Sequence, residues 1–344
     1  MEMADNHAVT PLIYYHLKEK HDNPTPPPGP SALKGESRVG ALNAAIPSQA
    51  RNDLRHAYYE NLARNIVLFG ELKKMLADLT EQGIKVIVLK GALFAGMLYG
   101  NLAVRMMADI DILVKPADFA KVAAYLVNAG YAGSCDVEHV VRERRYHHAQ
   151  FVKGIVLLEV HKGLAQPRRF KIDMDNIWQR AIRVKIDGVD ALRLSNEDIL
   201  LHLCLHMAYH KFVTCLIWWT DLYEFIRKFS ADIDWDYVVD KAIEQRISTA
   251  VYLSLYFAKK IMKAEIPPFV LKNLEVSSLR KKIVFLFLNK NGLNLYRFVG
   301  KPRIYQLAME LFLIDKLQNQ LAFGVEFILR SLELFLRKSV LKKP

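Results

Sequence analysis

The chain has 344 residues, 52% of them hydrophobic, with 48 Lys+Arg against 36 Asp+Glu and a formal charge of +12. That length allows two or three domains, or one core with helical additions, and the apolar half of the chain demands a sizeable buried core. Three cysteines (Cys135, Cys204, Cys215) with no CxxC spacing exclude a disulfide framework and a cysteine zinc site, and the longest apolar runs, such as 283–288, are too short to span a bilayer.

Residues 1–11 carry acids and no long apolar run, so no signal peptide is expected and a cytoplasmic location is the default. Residues 11–20 read as a short helix with Leu12, Tyr15 and Leu17 apolar. Residues 21–50 hold the run Pro24-Thr25-Pro26-Pro27-Pro28-Gly29-Pro30, which sustains neither a helix nor a sheet ladder and reads as a linker or long loop. Residues 52–82 read as one long helix, because Leu54, Tyr58, Leu62, Ile66, Phe69, Leu72, Leu76 and Leu79 recur at helical spacing. Gly83 ends it.

The β-branched run 85–89 reads as a buried strand, 92–99 as a short helix, 110–114 as a second strand ended by Pro116, and 117–129 as a helix closed by Gly130. Further strands are expected at 149–152 and 155–161, with Lys153-Gly154 as the turn. Strand, helix, strand, helix, strand, strand implies a small α/β or α+β core. From Asn196 the chain reads as almost all helix, started by Ser195 with Glu197 and Asp198 and broken at Pro267-Pro268. The expected division is an N-terminal helical region (1–82), a core (83–194) and a C-terminal helical domain (195–344).

The strongest local signal is Met107-Ala108-Asp109-Ile110-Asp111-Ile112-Leu113-Val114. Side chains alternate along a strand, so Asp109 and Asp111 share one face and Ile110 and Ile112 the other. Two acids in an apolar strand are costly to bury without a partner, and Mg²⁺, which takes carboxylate oxygens and substrate phosphates, is the partner expected. A strand end whose acids reach water is the bland alternative. Upstream, Leu89-Lys90-Gly91-Ala92 is a strand-to-helix turn, where Gly91 admits close approach of a ligand, the helix start offers N–H groups to an anion, and Lys90 adds a charge for a phosphate. Downstream, Glu159 in Leu157-Leu158-Glu159-Val160-His161 supplies a third carboxylate if its strand neighbours that of Asp109. It would then bind metal or accept a proton, with His161 on the same face.

Taken together, Leu89-Lys90-Gly91, Arg105, Asp109-Ile110-Asp111-Ile112-Leu113-Val114, Gly130-Tyr131 and Leu158-Glu159-Val160-His161 resemble an uncharacterised bacterial nucleotidyltransferase family of the polymerase-β-like superfamily. The resemblance continues through 201–206 and 218–222 and reaches back to 12–17. It implies an α+β fold: a small mixed-sheet nucleotidyltransferase core with large N- and C-terminal helical regions. It also implies that Asp109, Asp111 and Glu159 hold Mg²⁺ and catalyse transfer of a nucleoside monophosphate from an NTP, ATP first among them, to an acceptor hydroxyl. Lys90, Gly91 and Arg105 would then contact the nucleotide. Superfamily members often carry Gly-Ser where this chain has Gly91-Ala92, and the gap from Gly91 to Asp109 is long. Two alternatives stand beside that reading, a catalytically inactive relative that binds nucleotide as a regulator, and a basic adaptor at membrane or nucleic acid.

His202, His206 and His210 form one helical stripe, read mainly as packing or site support and secondarily as a metal site, with Asp221 as a hydrogen-bond partner for one of them. Arg142, Arg144 and Arg145, with Arg168 and Arg169, are a candidate rim for a nucleic acid or acidic polymer, against the simpler reading of solvated loop charges, which is the one preferred for Arg168 and Arg169. The basic, amphipathic 304–343 segment is a candidate for contact with an anionic membrane surface, against the simpler reading of a packed helix with a frayed basic end.

Overall fold

The computed structural model describes residues 9–22, 47–133, 140–141, 146–167, 169–210, 212, 216–289, 307, 311–315, 318, 320–321 and 324–325. The expectations for 23–46, for Cys135 and Cys215, for Arg142, Arg144, Arg145 and Arg168, and for most of 304–343 lie outside them.

Helix α1 (Thr10–Asp22) packs on α2 (Ser48–Glu81), which begins earlier than the periodicity predicts, so 48–50 are helical rather than loop. The buried face of α2 is Leu54, Asn61, Asn65, Leu68, Leu72, Met75, Leu76 and Leu79. The expected apolar stripe fails in its middle, where Ile66 is 56% exposed. Two asparagines face inward there because their carboxamides satisfy backbone carbonyls that would otherwise be buried without donors. Asn61 donates to the Ala103 carbonyl at 2.8 Å, and Asn65 donates to the carbonyls of Leu102 and, at 2.9 Å, Arg105. Gly83, at φ +72°, closes the helix as expected.

The sheet strands are β1 (Ile87–Val88), β2 (Ile110–Leu113), β3 (Ala132–Gly133), β4 (His148–Lys153), β5 (Val156–His161), β6 (Ile182–Ile186) and β7 (Val189–Arg193). They form one seven-stranded mixed sheet in the order β3-β4-β5-β2-β1-β7-β6. β2 pairs antiparallel with β1 and parallel with β5, and β7 runs parallel to β1. Helix α3 (Lys90–Met97) starts two residues before the expected 92, and α4 (Phe119–Asn128) follows β2. The turn between β4 and β5 is Gly154-Ile155 rather than Lys153-Gly154, since Lys153 still pairs with Val156 and Gly154 takes φ +57°.

The β6–β7 hairpin has no counterpart in the sequence reading. Its turn, Asp187 (φ +47°) and Gly188 (φ +84°), has the two positive φ values of a type I′ turn. It escaped notice because these strands are largely exposed and interleave Arg183, Lys185 and Asp190 with apolar residues, which weakens the apolar signal.

After α5 (Met174–Arg180), the described chain from 196 is helical: α6 (Asn196–Tyr209), α7 (Leu216–Phe229), α8 (Trp235–Glu244), α9 (Ser248–Met262), α10 (Pro268–Asn273) and α11 (Ser278–Asn289). The Ser195 hydroxyl accepts the Asp198 N–H and caps α6. One continuous apolar cluster joins α2, the sheet and these helices. The fold is thus α+β, with a mixed sheet and helical regions on both sides of it in sequence. No described helix is long and apolar enough to cross a membrane.

Candidate active site

Asp109 sits just before β2 and Asp111 within it, so both project to one side while Ile110 and Ile112 enter the core. The parallel register of β2 and β5 sets Asp111 opposite Glu159. Three carboxylates therefore meet at one place on the sheet, and Lys90 reaches the same place from the start of α3. The Lys90 ammonium donates to Asp111 Oδ1 at 2.9 Å, with both side chains nearly buried. His161 Nε2 lies 2.9 Å from the same oxygen and 3.5 Å from Glu159 Oε2. Gln150, opposite Glu159 on β4, donates to Glu159 Oε1 at 2.7 Å.

The three acids are electrostatically unequal. Burial opposes the charge of Asp111, but Lys90 and His161 outweigh it and hold its carboxyl well below the usual range. Burial also opposes the charge of Glu159, and the hydrogen bonds from His161 and Gln150 still bring it down to about 2. Asp109 goes the other way: burial, then the neighbouring Asp111 charge, push it up to about 6. No described residue hydrogen-bonds the Asp109 carboxylate. Carboxylate oxygens gathered in this way are hard donors that fit a divalent cation.

The segment 101–108 explains the long gap between Gly91 and Asp109. It is clamped by α2: besides Asn61 and Asn65, the Arg64 guanidinium donates to the carbonyls of Met107 and Ala108, each at 3.1 Å. Polar residues at 61, 64 and 65 lie on one helical face, a signal the apolar count passed over. Arg105 ends up buried. Its guanidinium pairs with Asp221 Oδ2 at 2.7 Å and donates to the Met106 carbonyl at 2.7 Å, while the Tyr99 hydroxyl donates to Asp221 Oδ1 at 2.8 Å. Asp221 is thus taken by Arg105 and Tyr99, correcting its expected bond to a histidine. The two ring nitrogens of His202 have no hydrogen-bond partner among the described residues. The cation of Arg105, expected at a triphosphate, is already matched by that carboxylate.

Gly91 is where this loop and α3 touch. A Cβ there would lie 2.9 Å from Arg105 Nη1 and 3.2 Å from Met107 Cγ. Because Asp221 holds the guanidinium, it has little room to retreat. Gly91→Ala is expected to cost about 1–3 kcal/mol by overpacking, read as a lowered urea midpoint at unchanged m. A midpoint equal to wild type would show that the contact yields freely.

A cleft of about 1010 Å³ opens beside these groups. Its floor is Lys90, Gly91, Arg105, Asp109 and Asp111, and its walls come from α1 (Thr10, Pro11), α2 (Arg64, Val67) and the helical region (His206, Trp218). From the His202, His206 and His210 stripe, His206 reaches the cleft, and its ring lies 4.4 Å from that of Trp218. Burial keeps His202 near 3 and His206 well below its usual value, so both rings are neutral. Arg169 stacks on Tyr209 at 4.8 Å.

No curated protein matches the chain. The solution structure of the antibiotic-resistance factor ANT(2'')-Ia is similar at 14% identity and a TM-score of 0.37, over 58% of this chain and 98% of its own. An antigenic nucleotidyltransferase-like protein from Paracoccidioides brasiliensis is similar at 17% identity and a TM-score of 0.35, over 58% of this chain and 93% of its own. Residues 1–263 match a family described as uncharacterised nucleotidyltransferase, a span that includes the sheet, every residue of the carboxylate site and helices α1 to α9. With that match over most of its length, the chain belongs to the uncharacterised nucleotidyltransferase family.

Proposed function

We propose that the protein moves a nucleoside monophosphate from an NTP to an acceptor hydroxyl, releasing pyrophosphate, at the carboxylates of Asp109, Asp111 and Glu159. The observation that carries this reading is the register that sets Asp111 against Glu159, with Asp109, which no described residue hydrogen-bonds, two residues away at the edge of the cleft. Asp109 and Asp111 would hold Mg²⁺, with Glu159 as the third acid. Bound there, divalent cations would neutralise charge on the phosphates and on the attacking oxygen. Glu159, held near 2, is ionised throughout the physiological range. That makes it a better ligand or charge partner than proton acceptor, since a general base works best with a pKa near the operating pH. Lys90 stands at the start of α3 with its ammonium beside Asp111, placed to meet a phosphate that enters the cleft. Arg105, already paired, would shape the floor under Gly91. ATP is the first nucleotide to try, and the charge of +12 favours an anionic acceptor such as a nucleic acid or acidic polymer.

The test is pyrophosphate release and thermal stability with each NTP, with and without Mg²⁺. A nucleotide at about 100 times its Kd stabilises the fold by about 2.7 kcal/mol. Mg²⁺-dependent stabilisation together with pyrophosphate release is the expected result. Stabilisation without turnover would leave a nucleotide-binding regulator, and the absence of both effects would overturn the reading.

Asp109 also sets a pH dependence. Its carboxyl, raised to about 6, must lose its proton before it ligates a cation. Mg²⁺ affinity is therefore expected to rise by about tenfold per pH unit up to about pH 6 and then level off. Calorimetric titrations across pH 5 to 8 check this, and a flat affinity would mean that Asp109 does not bind the ion.

A further inference from the structure

The edge of the carboxylate site carries a cluster that nucleotidyl transfer does not use. His147 precedes β4, His148 is its first residue, and His148 pairs across the sheet with His161, the last residue of β5. The rings lie close: centroids are 4.4 Å apart for His147 and His148, 5.1 Å for His148 and His161, and 5.9 Å for His147 and His161. One ring nitrogen from each of the three lies within 4.8 Å of the other two.

Two details point beyond aromatic packing. His147 Nε2 and His148 Nδ1 share a hydrogen bond at 3.1 Å, which an ion between them would replace. Two nitrogens on a tetrahedral ion at 2.0–2.1 Å stand about 3.3 Å apart, so this pair is already near chelating distance. Second, His161 spends Nε2 on the carboxylates of Asp111 and Glu159, while its buried Nδ1 has no hydrogen-bond partner among the described residues. The carboxylates of Asp111 and Glu159 favour the imidazolium of His161, so an ion at Nδ1 would displace that proton and leave a metal ligand backed by a carboxylate, in which the acid fixes the tautomer and raises the ligand's basicity. A buried polar atom with no partner costs free energy, and a metal ion would remove that cost.

We infer that His147, His148 and His161 form a second metal site, for a borderline transition-metal ion such as Zn²⁺, separate from the Asp109–Asp111 pair. Imidazole nitrogen suits zinc and its neighbours, whereas Mg²⁺ prefers oxygen, so the two sites differ in ion as well as in place. Three imidazoles leave a fourth position open, as in zinc sites that are not purely structural. The ion would lock His161 with its Nε2–H toward Asp111, and so hold that carboxylate in place. His161 is then a positioning residue, linking the second metal to the first site.

The full-length protein, stripped of metal, is titrated with Zn²⁺ alone by calorimetry and with Co²⁺ alone by visible absorption, both in millimolar Mg²⁺. One ion per chain is expected, with the intense bands of tetrahedral Co²⁺. His147→Gln and His148→Gln each weaken binding at least about tenfold, while Asp109→Asn leaves it intact. Unchanged affinity in both histidine variants, displacement by Mg²⁺, or a weak octahedral Co²⁺ spectrum each overturns the site. His147 lies outside the strands and is partly exposed, so its variant is the one to rely on if His148→Gln does not fold. Because Asp109 is outside the cluster, failure of Mg²⁺–nucleotide binding and failure of this site are read independently.

Discussion

Asp109→Asn and Asp111→Asn are both expected to abolish nucleotidyl transfer yet to move stability in opposite directions. Losing a ligand of the catalytic cation removes several kcal/mol of transition-state stabilisation. About 4 kcal/mol corresponds to roughly a thousandfold in rate. The stability difference comes from the partners. Asp109 has no described hydrogen-bond donor, and burial and Asp111 already resist its charge, so a neutral amide there raises the Tm of the metal-free protein. Asp111 is the counter-charge of Lys90 and His161, both nearly buried. Its amide removes the carboxylate that both groups contact most closely and leaves Glu159 and Asp109 as their remaining anions, so the loss is expected toward the lower end of about 3–5 kcal/mol. Differential scanning calorimetry without metal, alongside pyrophosphate release, checks both halves. Equal Tm shifts for the two variants would refute the assigned partners, and residual activity near wild type in either would refute the assigned role.

The second large effect is remote from the phosphates. Asp221→Ala is expected to destabilise the protein by about 3–5 kcal/mol, because it leaves a buried guanidinium with no anion. The pair is 8% and 2% exposed at its side chains, and the Tyr99 hydroxyl loses its acceptor as well. Arg105→Met combined with Asp221→Leu should recover most of that loss, since an apolar pair of similar volume removes the unpaired charge instead of exposing it. Urea unfolding of Arg105→Met, Asp221→Leu and the double variant gives the coupling directly. A cost below about 1 kcal/mol for Asp221→Ala would mean that water reaches the guanidinium and the pair behaves as a surface bridge.

Both effects depend on contacts of different legibility in the sequence. The Asp109–Asp111 pair is readable because strand alternation is local: two acids spaced by two, between apolar residues, share a face whatever surrounds them. Lys90-Gly91 and the capped start of α6 at Ser195 are readable for the same reason, since turns and caps are set by neighbours in the chain. The strand run of β5 was visible too, but its partner was not. Only the parallel pairing with β2, across 48 residues from Asp111 to Glu159, decides that the third carboxylate stands beside the second.

Where the reading failed, the deciding force was long-range. Residues 61 and 65 of α2 looked wrong for a buried face by hydropathy, yet they are buried because unsatisfied carbonyls of 102, 103 and 105 come to them in the fold. The charge of Arg105 was assigned to a phosphate because no local pattern reveals Asp221, 116 residues away. By itself the sequence determined the elements around 84–161 apart from the short β3, the shared face of Asp109 and Asp111 and the helical character beyond 196, all consequences of short-range periodicity and capping. The tertiary structure alone decided the strand order, the β6–β7 edge, the meeting of Glu159, His161 and Lys90 at Asp111, and the burial of Arg105, because those follow from how charges and backbone groups far apart in the chain satisfy one another once water is excluded.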